Sequence, residues 1–148
     1  MGDDFFSSLD NKISELKTGE QEARERELAD RAAAEEAIAA MHPVANDYAA
    51  KLRERGISAK VSGSNKGITF EMRWADNAEH GLSVYPDLAS GRLKLIRNST
   101  SHTDGRRFSS TDGMMYAAGQ WAPDRFEAAL KGIIEDYMFY APKHGGIG

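Results

Sequence analysis

Ile68-Thr69-Phe70-Glu71-Met72-Arg73-Trp74 alternates apolar and polar side chains over seven residues, the period-two signature of a strand with one buried face. The alternation is already present in Ile57, Ala59 and Val61 against Ser58, Lys60 and Ser62, with Gly63 to Gly67 a turn by composition. It resumes in Leu82 and Val84 against Ser83 and Tyr85, and again in Leu93 and Leu95. Ala75 to Glu79 and Pro86 to Gly91 supply the remaining turns, so Ile57 to Arg97 is predicted to be an antiparallel meander. Beyond it, Asp104-Gly105 and Asp112-Gly113 are both two-residue hairpin signatures. They set off a strand over Arg106 to Thr111 and another within Met114 to Trp121, giving about four to six strands in all.

Helical patterns flank the strands. Glu20 to about Arg55 is rich in Ala, Glu, Arg and Leu, the residues that lose least on entering a helix. Its first half pairs Glu20 with Arg24, Glu22 with Arg26 and Glu27 with Arg31 at four-residue spacing, and Leu28 is its one large apolar residue. In its second half Ala34, Ile38, Met41, Ala45, Tyr48 and Leu52 line one face and must pack on something. Pro43 predicts a kink or restart near His42, and Gly56 a left-handed stop. Upstream, Phe5, Phe6, Leu9, Ile13 and Leu16 fall at helical spacing, with Thr18-Gly19 expected to interrupt. At the other end, Phe126, Leu130, Ile133, Ile134 and Tyr137 form a stripe from Pro123 to about Tyr140, stopped by Pro142, and His144 to Gly148 reads as a mobile tail.

A one-faced antiparallel sheet must be covered on its apolar face, and these helices are the elements available. The expected fold is α+β: a two-layer sandwich in which a long N-terminal helix and a C-terminal helix cover the meander. Residues 1–36 form a charged helical arm and residues 37–148 a single domain. The other sheet face carries Ser58, Lys60, Thr69, Glu71, Arg73, Ser83, Tyr85, Arg92, Lys94 and Ile96.

Composition narrows the function classes. The chain has 148 residues, the size of one domain, and no apolar run near the roughly 18 residues of a membrane span. It has no cysteine, which removes disulfides, thiol catalysis and cysteine-ligated zinc. Asp3 and Asp4 precede Phe5 where a secretory signal would be basic, so a cytoplasmic, membrane-free protein is expected. Residues 1–36 hold 11 acidic and 5 basic side chains, leaving 12 and 14 for the remainder. A near-neutral body makes no strong electrostatic case for nucleic acid.

Catalytic signals are sparse. His42, His80, His102 and His144 occur in no metal-ligand spacing, and no cofactor is expected. His102 with Asp104, Arg106 and Arg107 is the densest polar group, on a hairpin where two arginines could hold a phosphate or carboxylate. With Arg73, Tyr85, Arg92 and Lys94 on the open sheet face, these are the candidate binding residues. Tyr137, Met138, Phe139 and Tyr140 are consecutive and cannot all face the sheet; Phe139 and Leu28 are the candidate dimer contacts.

The reading that accounts for most of this is a non-catalytic interaction module, a homodimer that docks a protein partner through its arm or open sheet face. Nucleic-acid binding through the polar face and the Arg106/Arg107 hairpin is the alternative. The order helix, three strands, helix resembles that of the double-stranded RNA-binding domain, which implies recognition by shape and backbone. That family's basic start to the second helix is replaced here by Pro123-Asp124-Arg125-Phe126-Glu127. A small enzyme using a helix-sheet crevice is the third reading.

Overall fold

The computed structural model describes residues 2–87, 92–116 and 123–148. One helix, α1 (Gly2–Glu54), leads into five strands, β1 (Ser58–Ser64), β2 (Gly67–Arg73), β3 (Glu79–Pro86), β4 (Leu93–Thr100) and β5 (Arg107–Tyr116). Helix α2 (Pro123–Tyr140) and a 3-10 turn (Ala141–His144) follow. Every neighbouring pair is antiparallel and the strand order is β1-β2-β3-β4-β5, the expected meander. The architecture is α+β, with the sheet packed against the helices.

The core lies between the helices and one sheet face. Ile68, Phe70, Met72 and Trp74 meet Leu82, Val84, Leu93 and Leu95 from neighbouring strands. From above come Ala34, Ile38, Met41, Ala45, Ala49 and Leu52 of α1 and Phe126, Leu130, Ile133 and Tyr137 of α2. Tyr48, expected on the buried face, stands half out of it, because its hydroxyl donates to Glu127 Oε1 at 2.5 Å and ties the two helices together. Burial first, then this bond and the Glu127 charge, push the phenol up to about 12.

Several sequence expectations are corrected. Helix α1 is continuous through Thr18-Gly19 and through Pro43. Gly19 is exposed with no side chain to displace, so its cost is the ~1 kcal/mol of an interior glycine; Thr18 Oγ1 donates back to the Ser14 carbonyl. At Pro43 the flanking Met41 and Ala45 are buried, and His42 Nε2 reaches the Ser64 carbonyl at 2.9 Å, so packing on both sides holds the helix together. The arm's three expected ion pairs do not close to 4 Å; the four-residue pairs that form, Lys51–Asp47 and Lys131–Glu127, belong to the body.

Asp112-Gly113 is not a hairpin turn: it lies inside β5, which merges Arg107–Thr111 with Met114–Tyr116. Lys94 pairs with Met115 but Ile96 with Thr111, so a bulge in the last strand of the sheet absorbs the extra residues. Asp104-Gly105 does lie in a reversal, but a six-residue one, Ser101 to Arg106, closed by Ser101 N–H donating to the Arg106 carbonyl. Ala117 to Trp121 of the expected last strand and Leu88 to Gly91 of the β3–β4 turn lie outside the described residues.

The closing segment is docked. Ile147 pairs with Trp74 as an antiparallel bridge, Ser58 N–H donates to the Gly148 carbonyl, and Ala75 N–H donates to that of Gly146. Gly145 and Gly146, at φ 83° and 107°, make the left-handed reversal that returns the chain to the sheet. Helix α2 still ends at Tyr140 before Pro142, as expected.

Candidate functional site

Meander parity decides what can meet. Successive turns alternate between the two ends of the sheet, so the β2–β3 turn and the β4–β5 loop share one end, where the C-terminal segment also docks. The three enclose a cleft of about 440 Å³ lined by Arg73, Asp76, Asn77, Glu79, His102, Arg107 and His144, among others.

Its wall is an aromatic stack. Trp74 is buried, donates from Nε1 to the Tyr137 carbonyl at 2.9 Å, and lies nearly parallel to the His144 imidazole at 3.8 Å between centroids. Tyr137 stacks parallel to the same indole at 5.2 Å and donates its hydroxyl to the Arg73 carbonyl. His144, 3% exposed, donates from Nδ1 to Asp76 Oδ2 at 2.7 Å. Burial pushes the Asp76 carboxyl up, but the Ala78 N–H and then His144 outweigh it and hold it below 3.8.

The floor is an ion network on the sheet's open face. Arg73 Nη1 donates to Asn77 Oδ1, and Nη2 to Glu79 Oε1 at 3.1 Å; Arg107 Nη2 reaches Glu79 Oε2 at 2.5 Å. Glu71 Oε1 is buried without a hydrogen bond, 3.3 Å from Arg73 Nη2, so its compensation is electrostatic attraction alone. Both arginines therefore meet protein carboxylates before any ligand arrives.

The structure brings Arg73, His102 and Arg107 of the sequence candidates together here. Arg106, in the β4–β5 loop one residue before β5, stands beside Asp104 at 4.0 Å and is almost fully exposed. Tyr85 and Lys94, directly paired, sit at the other end of the open face, where the Tyr85 ring covers Gly67; Arg92 precedes β4. Ser83, expected in solvent, is buried beside Thr69 at 3.0 Å. Phe139 is 75% exposed and Leu28 stands free on the arm. Sequence reasoning missed Asp76 and His144. Turn parity alone puts Asp76 near His102; nothing in the periodicity returns His144 to the sheet.

Chemically, an Asp–His pair orients an imidazole, but here the ring is flat against an indole and the nearby Ser101 hydroxyl is bonded to Thr103 Oγ1 at 2.7 Å. The pair ties the C-terminal segment to the β2–β3 turn. No three His, Asp or Glu side chains among the described residues are grouped to hold a metal ion. Nor is any described helix long and apolar enough to cross a membrane.

The second buried imidazole gives a pH prediction. His80 Nε2 donates to the Ile133 carbonyl at 2.8 Å, so its Nδ1 accepts from the Ser99 hydroxyl at 2.9 Å in the neutral ring. Burial, more than anything else, holds His80 below its ordinary 6.5, against the raising effect of the Ile133 bond. The unfolded chain therefore binds a proton that the folded one resists. His80's contribution is complete above pH 6.5 and declines as pH falls below it. Melting temperatures measured from pH 7.5 to 5 should fall for the wild type, and His80→Gln should flatten that slope. A parallel slope in the variant would assign the effect elsewhere.

Outside the fold's own frame, the face of α1 beyond the body is a further exposed surface. Residues 3–33 are exposed throughout, and Ala34 is the first buried position. Phe5, Phe6, Leu9, Ile13 and Leu16 are between 38 and 67% exposed. Eighteen residues make five turns of an α-helix, so Leu16, Ala34 and Leu52 point to one side: the arm's apolar stripe continues the face that packs on the sheet. Polar residues Glu20, Glu27 and Asp30 separate the two stretches.

Compared with protein-family models, curated proteins and solved structures, the chain has no match.

Proposed function

We propose that this protein is a non-catalytic interaction module that self-associates through its helical arm. The observation that carries the reading is the stripe of five large apolar side chains standing in water on the stretch of α1 before Ala34, where residues 3–33 are all exposed. A surface helix whose apolar face has no core beneath it finds its cover on another chain. The cleft supports the non-catalytic half of the reading, since its arginines are paired to Glu79 and its imidazole–carboxylate pair holds the C-terminal segment.

The association is weak. Partial burial of ten such side chains in a pair, at roughly 1 kcal/mol each, is of the same order as the ~4–15 kcal/mol cost of bringing two chains together. A reversible dimer dissociating in the micromolar range or above follows.

Light scattering on the full chain at high concentration should give a mass approaching two chains. Leu9→Asp with Ile13→Asp should return it to one, while the melting temperature of the body stays within about 1–2 °C, because neither residue touches the core. A one-chain mass for the wild type at every concentration would refute the reading.

A further inference from the structure

The arm's charges select the geometry of that association. Phe6 and Ile13 occupy a positions and Leu9 and Leu16 d positions of two heptads, and the seam stops at Leu16 because the next a position is Glu20. Asp10, Lys17 and Arg24 then fall at e positions on one flank, and Lys12 at a g position on the other.

We propose that two copies pair their arms antiparallel about a two-fold axis near Asn11, an inference that rests on self-association through the arm. In that arrangement Phe6 meets the partner's Leu16 and Leu9 meets the partner's Ile13, so the four apolar layers use every seam residue in both copies. Antiparallel pairing sets e against e. Because side chains lean toward their own N-terminus, Lys17 is brought to the partner's Asp10 and Arg24 to the partner's Asp3. With the two-fold, that makes four attractive pairs against a single like-charge meeting, Lys12 with the partner's Lys12.

Parallel, in-register pairing sets g against the e five residues on. It would place Lys12 beside the partner's Lys17 twice and leave Asp10 facing the partner's Phe5. Two repulsions and no attraction result. The apolar layers form in either orientation, so the flanking charges decide between them. The bodies then sit at opposite ends of the paired arms.

The chain's lack of cysteine makes the test direct. Glu25 lies at an f position, away from the seam, and Glu25→Cys carrying a nitroxide label reports the spacing between copies by dipolar spectroscopy. Antiparallel pairing predicts about 42 Å, from the ~1.5 Å rise over fourteen residues taken twice. Parallel pairing predicts less than about 25 Å, from helix axes ~8–10 Å apart plus the two label arms. A long distance lost with Leu9→Asp supports the inference. A short distance overturns it and leaves self-association standing; no dipolar signal with a one-chain mass overturns both.

A charge exchange gives a second readout. Lys17→Asp should weaken an antiparallel dimer several-fold, and adding Asp10→Lys should restore it. Strengthening by Lys17→Asp alone is the parallel outcome and would reject the proposal.

Discussion

Gly81→Ala is expected to unfold the protein or lower its melting temperature by about 10 °C or more, from a loss of roughly 3 kcal/mol or above. Gly81 sits in β3 opposite Glu71 of β2 and Asn98 of β4, in the middle of the sheet. A methyl group there would lie 2.0 Å from the Phe70 carbonyl oxygen and 3.1 Å from the Glu71 Cα. Both are backbone atoms of a paired strand, which no rotamer change can move aside. Relief requires separating β2 from β3, and with them Phe70, Met72 and Leu82 on the core face. Thermal unfolding followed by circular dichroism reads the effect. Gly132→Ala is the control: a new side chain there meets nothing within 4 Å, so it should leave stability equal or better.

Trp74→Ala is the second large effect, about 3–5 kcal/mol from a cavity at the buried position just past β2. Its consequence is not confined to the core. The indole is the surface on which His144 stacks, its Nε1 holds the Tyr137 carbonyl, and its backbone forms the bridge to Ile147. The variant should therefore also free the C-terminal segment, seen as faster hydrogen exchange at the Ala75 and Asp76 amides, which donate to Gly146 and His144. His144→Ala keeps the indole and should speed the same exchange with a much smaller loss of stability. Protected amides in both variants would mean that the segment docks independently of the stack.

These two residues mark where sequence was informative and where it was silent. Trp74 was visible as the last apolar position of an alternating run, because period two is a direct imprint of a one-faced sheet. The same logic identified the stripe of α2 and the core half of α1. Gly81 carried no such imprint: it reads as one more glycine near a strand start, and only the approach of the Phe70 carbonyl shows why nothing else fits. Asp112-Gly113 misled, since the dipeptide that favours a hairpin also suits a bulge, and pairing with β4 decides which. Pro43 and Gly19 misled differently, through local penalties of a few kcal/mol at most that a long, partly packed helix absorbs.

The cleft was half legible. Arg73, His102 and Arg107 were singled out as polar groups, but their assembly depends on which sheet end each turn occupies and on ion pairing to Glu79, neither of which periodicity encodes. The tail was opaque, because Lys143-His144-Gly145-Gly146 has the composition of a loose end. What docks it is a long-range match of ring faces and backbone donors, including Gly148 N–H to the Tyr137 hydroxyl.

The spacer between the arm's stripe and the body works as a phase shaft. Seventeen residues, 17–33, carry no side chain that the core touches, so the body constrains their identity only loosely. Their number is not. One residue more or less swings the stripe by 100° around the axis, away from the side on which the sheet lies, whereas seven residues shift it by only ~20°. Length here is quantised in near-whole turns: the shaft can be lengthened or shortened in steps that keep its two apolar faces aligned, and each such step resets the distance between arm and body while leaving their relative rotation intact.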